Sequence, residues 1–139
     1  MVRILLALAV GAGVGGAALA HDRDNAEAVR VLSVRDVKEK VDGKEAKATV
    51  VEVTLEPGQA GKPHRHLGPV FGYVLEGQYE WAIDDNPART LKGGDTFYEP
   101  TGCLHRVSRN PSKKAKTRVL AVVLHPRDAR QITIPEPKK

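Results

Sequence analysis

The sequence has one cysteine, Cys103, so no disulfide can form within the chain. The fold must rest on its apolar core, with or without a bound metal. Aromatic residues are scarce, and all six lie between positions 71 and 98: Phe71, Tyr73, Tyr79, Trp81, Phe97 and Tyr98. No segment sustains helical periodicity, which disfavours a helical bundle, and no internal repeat marks a solenoid. Charge is nearly balanced at +5, and removal of Arg3 with a leader would leave +4, too modest an excess for a nucleic-acid partner. The densest basic run, Lys113 to Arg118, follows Asn110-Pro111-Ser112 and reads as a solvated loop entering a strand.

The longest apolar stretch, Ile4 to Val10, sits within the first twenty residues and is followed by glycines and Ala18-Leu19-Ala20. A charged start, a short apolar run and a small-residue end are the layout of a cleaved secretory signal peptide. Too dilute to span a bilayer, which takes about 20 apolar residues, it implies a periplasmic or secreted protein with no stable membrane span after cleavage. The expected division is a signal peptide over 1–20, an arm and first strand over 21–45, one domain over 46–134 and a flexible tail over 135–139.

What remains is a series of short strands punctuated by turn residues. Residues 29–37 and 48–55 alternate apolar and polar, and the segments 70–77 and 78–83 follow so closely that they predict a hairpin. Further strands are expected at 88–91, 96–100, 104–110, 117–124 and 131–134, a spacing that suits a sandwich or barrel. The fold class is all-β.

His64 and His66 lie two residues apart, so in an extended segment both imidazoles face the same way while Arg65 faces the other. His105, entering a strand after Pro100-x-Gly102, offers a third ligand. The order Gly58, His64-x-His66, Gly77, then Gly94, Pro100-x-Gly102, His105, resembles the two motifs of the cupin superfamily over residues 58–110. The resemblance implies a single cupin-type jelly-roll β-barrel that binds a divalent metal through His64, His66 and His105. The first motif normally adds a glutamate, but this chain has Val70 or, by the alternative count, Phe71 there, with no acid between His66 and Glu76.

Three neutral imidazoles suit iron(II), the expected metal, with zinc, copper, nickel and manganese as alternatives. Some cupin dioxygenases resemble this arrangement in using three histidines alone. The expectation is therefore an oxidoreductase of dioxygenase type acting on a small organic anion. The alternatives are a zinc-dependent hydrolase, lyase or isomerase, or a non-catalytic ligand- or metal-binding module. No residue is singled out as catalytic.

Gln59, Val70 and Cys103 are candidate pocket residues. Cys103 would share the face of His105 in an extended strand, or serve as a small buried hydrophobe. Gln59 and Glu99 are either polar pocket contacts or solvated. If Val70 faces inward, Phe71 and Tyr73 face outward, and an outward aromatic patch implies a homodimer; with Phe71 inward these residues would instead wall a pocket. His21 would become N-terminal after cleavage, and His125, before Pro126, is expected at the surface.

Overall fold

The computed structural model describes residues 27–137; the leader and His21 lie outside them. The chain forms β1 (Ala28–Val41), β2 (Lys44–Leu55), β3 (His64–Arg65), β4 (Val70–Glu76), β5 (Gln78–Ile83), β6 (Arg89–Lys92), β7 (Thr96–Glu99), β8 (His105–Arg109), β9 (Thr117–Pro126) and β10 (Ile134–Pro135). Two five-stranded antiparallel sheets result, in the orders β1-β2-β9-β4-β7 and β10-β3-β8-β5-β6. The expected all-β jelly roll is what the chain adopts, with no helix among the described residues.

Strand alternation explains the layers. Along β9 every second residue, from Thr117 through Val119, Ala121 and Val123 to His125, is buried. Leu55, Val74, Tyr79, Trp81, Phe97 and Val119 join strands of both sheets in one cluster. Each such side chain contributes roughly 1.5–3 kcal/mol by leaving water. A smaller cluster of Val51, Val70, Ala121 and Val123 lies beside it.

Two expectations change. First, β1 runs on to Val41 and turns directly into β2, pairing with it from Ala28↔Thr54 to Val41↔Lys44. Asp42 and Gly43, at φ 50° and 73°, supply the two left-handed residues that a tight hairpin requires. Second, residues 70–83 do not form a hairpin. β4 pairs with β7 and β9, whereas β5 pairs with β6 and β8 in the other sheet. Gly77, at φ 81°, turns the chain from one sheet to the next, and a Cβ there would stand 2.4 Å from the Lys116 carbonyl oxygen. A single residue between strands leaves no room for a hairpin loop, so the chain crosses over.

The register of the first sheet also sets its two faces. Thr49, Val123, Val70 and Glu99 are successive cross-strand partners, and one strand residue further on stand Val50, Val122, Phe71 and Tyr98. Val70, Val123 and Glu99 are buried, while Phe71 and Tyr98 are about half exposed. Val70 therefore points inward, and Phe71 and Tyr73 point out.

Candidate metal centre

The two sheets meet over three histidines. His64 of β3 is the direct cross-strand partner of His105 at the start of β8. His66 follows two residues later on the same side, while Arg65 points away to an ion pair with Glu136 at 3.0 Å. One ring nitrogen from each of the three falls within 4.8 Å of the others. His64 Nε2 and His66 Nε2 are 3.2 Å apart.

Backbone carbonyls fix which nitrogens face inward. His64 Nδ1 donates to the Lys62 carbonyl and His66 Nδ1 to the Ile132 carbonyl, each at 2.7 Å. Both Nε2 atoms are thereby left with lone pairs directed at each other. Two bare lone pairs at that distance repel, and a shared cation relieves the repulsion. Backbone-anchored imidazoles of this kind are what metal ligation requires.

Burial holds two of the rings, His66 and His105, neutral. His66 is pushed down to about 4 by burial, with the His64 charge adding to the effect. His105 is lowered to about 3, again chiefly by burial and then by His64 and His66. At neutral pH both offer lone pairs, the state that binds a metal. The donor set therefore fits a divalent transition metal, and nitrogen donors favour iron, zinc, copper or nickel without choosing among them.

Glu99 was offered by the sequence only as one of two solvent-or-pocket alternatives, and the structure decides for the pocket. It ends β7 opposite Val70 and is 1% exposed. Its Oε1 accepts from Trp81 Nε1 at 3.0 Å and lies 3.2 Å from His105 Nδ1. Its Oε2 lies 3.8 Å from His66 Nε2 and, although buried, has no hydrogen-bond partner. Burial pushes this carboxyl up to about 7, against the Trp81 hydrogen bond that lowers it. The signal was present in the alternation of Thr96-Phe97-Tyr98-Glu99: once Phe97 is placed in the core, Glu99 shares its face.

A polar chain leaves the site on the other side. Tyr79 Oη lies 3.3 Å from His105 Nε2 and donates to Ser108 Oγ at 3.0 Å. Ser108 in turn donates to Glu27 Oε2 at 3.3 Å. Burial lifts the Tyr79 phenol far above its ordinary range, so it stays protonated. Glu27 is also raised by burial, partly offset by His64 and Ser108.

The histidines open on a cavity of about 80 Å³, walled largely by Val51, Val53, Val70, Val119 and Val123, with the half-exposed Val29 at its outer end. Of the candidate pocket residues, Val70 lines this cavity; Gln59 and Cys103 lie outside it. Gln59 folds back to accept from the Glu56 backbone N–H at 2.8 Å, closing its own turn. Cys103 sits in the turn before β8, where its N–H donates to the Pro100 carbonyl, so strand alternation does not carry it to the face of His105. It packs on the main core instead, and burial pushes its thiol up to about 11.

His125, expected at the surface, is buried. Its Nδ1 donates to the Pro126 carbonyl at 2.9 Å and its Nε2 pairs with the Thr49 hydroxyl at 2.8 Å, apart from the other three. β9 alternation carries it inward, and Thr49 satisfies it there.

The fold and the histidine cluster together define a class of small jelly-roll barrels with a metal-type centre between their sheets. Residues 51–123 match the family described as Cupin domain, and the chain belongs to that family. No curated protein sequence matches the chain. Among solved structures, it is similar to an uncharacterized protein with a double-stranded β-helix domain from Klebsiella pneumoniae, at 19% identity and TM-score 0.61, covering 84% of this chain and 90% of that one. A DMSP lyase from Ruegeria pomeroyi is 22% identical at TM-score 0.60, over 88% of this chain and 59% of the lyase. An oxalate oxidase bound to the substrate analogue glycolate is 24% identical at TM-score 0.56, over 73% and 52%. Identities at this level bear on the fold alone.

Proposed function

We propose that this protein is an exported, homodimeric, metal-dependent oxygenase that acts on a small organic anion at His64, His66 and His105. The observation that carries the reading is the convergence of three imidazoles, those of His64 and His105 buried and that of His66 part-buried, on a small, mostly aliphatic cavity. A divalent iron held there would supply the redox chemistry of dioxygen and a positive charge for the anion. The chain's own contribution is to keep His66 and His105 neutral by burial and to orient His64 and His66 through the Lys62 and Ile132 carbonyls. The valine walls exclude water, which strengthens the attraction of an anion to the centre. A cavity of about 80 Å³ restricts the anion to a few heavy atoms. The solved oxalate oxidase, bound to the substrate analogue glycolate, is named for a small organic anion, in keeping with this class.

Elemental analysis of the protein isolated from its native compartment tests the centre, and the intact mass of the same sample reports cleavage after Ala20. One iron per chain is expected, with oxygen uptake on adding small keto, enol or hydroxy acids. His105→Ala should lose the metal. Stoichiometric zinc with turnover independent of oxygen would replace the oxygenase reading with hydrolase or lyase chemistry. Metal without any turnover would leave a binding module.

A further inference from the structure

We infer that Glu99 supplies the carboxylate ligand of this centre, reaching it from β7 across the sheet instead of from the Val70 position on β4. The inference rests on the three-histidine reading and extends it. Val70 and Glu99 are cross-strand partners on the inner face, in a row whose other members are Val123 and Thr49. Cross-strand Cβ atoms stand about 5 Å apart, so a glutamate on either residue delivers its carboxylate to the same space. The acid missing between His66 and Glu76 is thereby replaced by one from the neighbouring strand.

The side chain is built for the role. Its Oε1 is pinned by the Trp81 indole N–H at 3.0 Å, which fixes the carboxylate plane. The other oxygen is buried without a partner, 3.8 Å from the open Nε2 of His66. Native structures rarely leave a buried carboxylate oxygen unsatisfied, and an ion is one of the few explanations. The spacing agrees with shared ligation. Metal–nitrogen bonds of about 2.1 Å place ligand atoms roughly 3.0–4.2 Å apart. The separations of 3.2 Å between His64 and His66 and 3.8 Å between His66 and Glu99 fall in that range.

The assignment changes the expected ligand. One carboxylate reduces a divalent ion's charge from +2 to +1, and four protein donors leave two positions on a six-coordinate ion. The site then selects a singly charged anion that chelates through two atoms, over dianions and monodentate ligands.

The competing role is structural: Glu99 orients His105 through its 3.2 Å contact and binds no metal. Infrared difference spectra of metal-stripped protein on adding Co(II) separate the two. In the wild type, Co(II) should shift a carboxylate stretching band, and Glu99→Gln should abolish that shift. Glu99→Gln keeps a carbonyl acceptor for Trp81 and is expected to fold; its Co(II) affinity should fall by about 100-fold or more, beyond the 10- to 100-fold typical of supporting residues. The double variant Val70→Glu, Glu99→Val should restore the band and most of the affinity, which an orienting role would not predict.

An unshifted carboxylate band in wild-type protein that binds one Co(II) overturns the inference. If Glu99→Gln leaves affinity unchanged while His105→Ala loses Co(II), the three-histidine centre stands without Glu99. If the wild type binds no Co(II), the centre and the inference fall together.

Discussion

Burial decides the charge of His66 and His105, and this makes stability depend on pH. His66 and His105 titrate near 4 and 3, below the ordinary imidazole value of 6.5, because burial penalises the imidazolium. Below pH 6.5 the unfolded chain therefore binds protons that the folded chain does not, and stability falls with pH. Glu99 acts in the opposite sense. With its carboxyl raised to about 7, the folded chain holds a proton that the unfolded chain releases near 4.5, so stability falls as pH rises between those values. Glu27, also raised by burial, acts in the same sense as Glu99, so the two carboxyls offset part of the loss that the two histidines cause between pH 4.5 and 6.5. The metal-stripped protein should lose thermal stability as pH is lowered from 7 to 4.5, measured by calorimetry; a flat or rising profile would count against neutral buried imidazoles. These histidines were legible because a two-residue spacing in extended chain puts two rings on one face. Glu99 was not resolved, because its inward direction depends on which face of the four-residue β7 meets the core.

At the scale of elements, the strands were legible from alternation and turn residues, but their partners were not. The one-residue gap at Gly77 excludes a hairpin only once the strand ends are known, and the partners of β4 and β5 come from distant segments, β7 and β9 for the one and β6 and β8 for the other. The joints depend on a few polar side chains. Asn110, after β8, is fully buried, and its amide donates to the carbonyls of Leu55, Glu56 and Ala115 at 2.8–3.1 Å while its Oδ1 accepts from the Ser112 N–H. It ties the end of β2 to the loop that leads into β9. Removing it leaves several buried backbone groups unpaired, each costing about 1–3 kcal/mol. Asn110→Ala should lower unfolding free energy by about 2–4 kcal/mol in urea with an unchanged denaturant slope, and leave the metal affinity of the folded protein intact. A loss below about 1 kcal/mol would mean that water replaces the amide without penalty.

At the scale of the whole molecule, the outer face of the first sheet exposes a row of apolar side chains. Val50, Val122, Phe71 and Tyr98 form a continuous row across four strands, with the Phe71 and Tyr98 rings 5.2 Å apart. A twofold axis brings the same patch of two copies together, and we propose that a second copy of the chain covers this row. A standard interface buries about 800 Å² on each partner. Sedimentation should report a dimer, and Phe71→Arg with Tyr98→Arg should give a monomer with a native circular-dichroism spectrum. A wild-type monomer at micromolar concentration would dismiss the interface.

The segment that carries β10 supplies no histidine, yet it lines the cavity with Ile132 and Thr133 and holds the centre in register. The Ile132 carbonyl accepts a hydrogen bond from His66 Nδ1, the Glu136 carboxylate pairs with Arg65 while its backbone N–H donates to the Pro63 carbonyl, and Pro135 pairs with His64. Residues 132–136 follow every ligand in the order of synthesis. The orientation of His66 is therefore fixed only after the rest of the barrel sequence has been made. A chain that stops short of Ile132 carries all three histidines but lacks the carbonyl that orients His66, so the ordered form of the cluster requires residues 132–136.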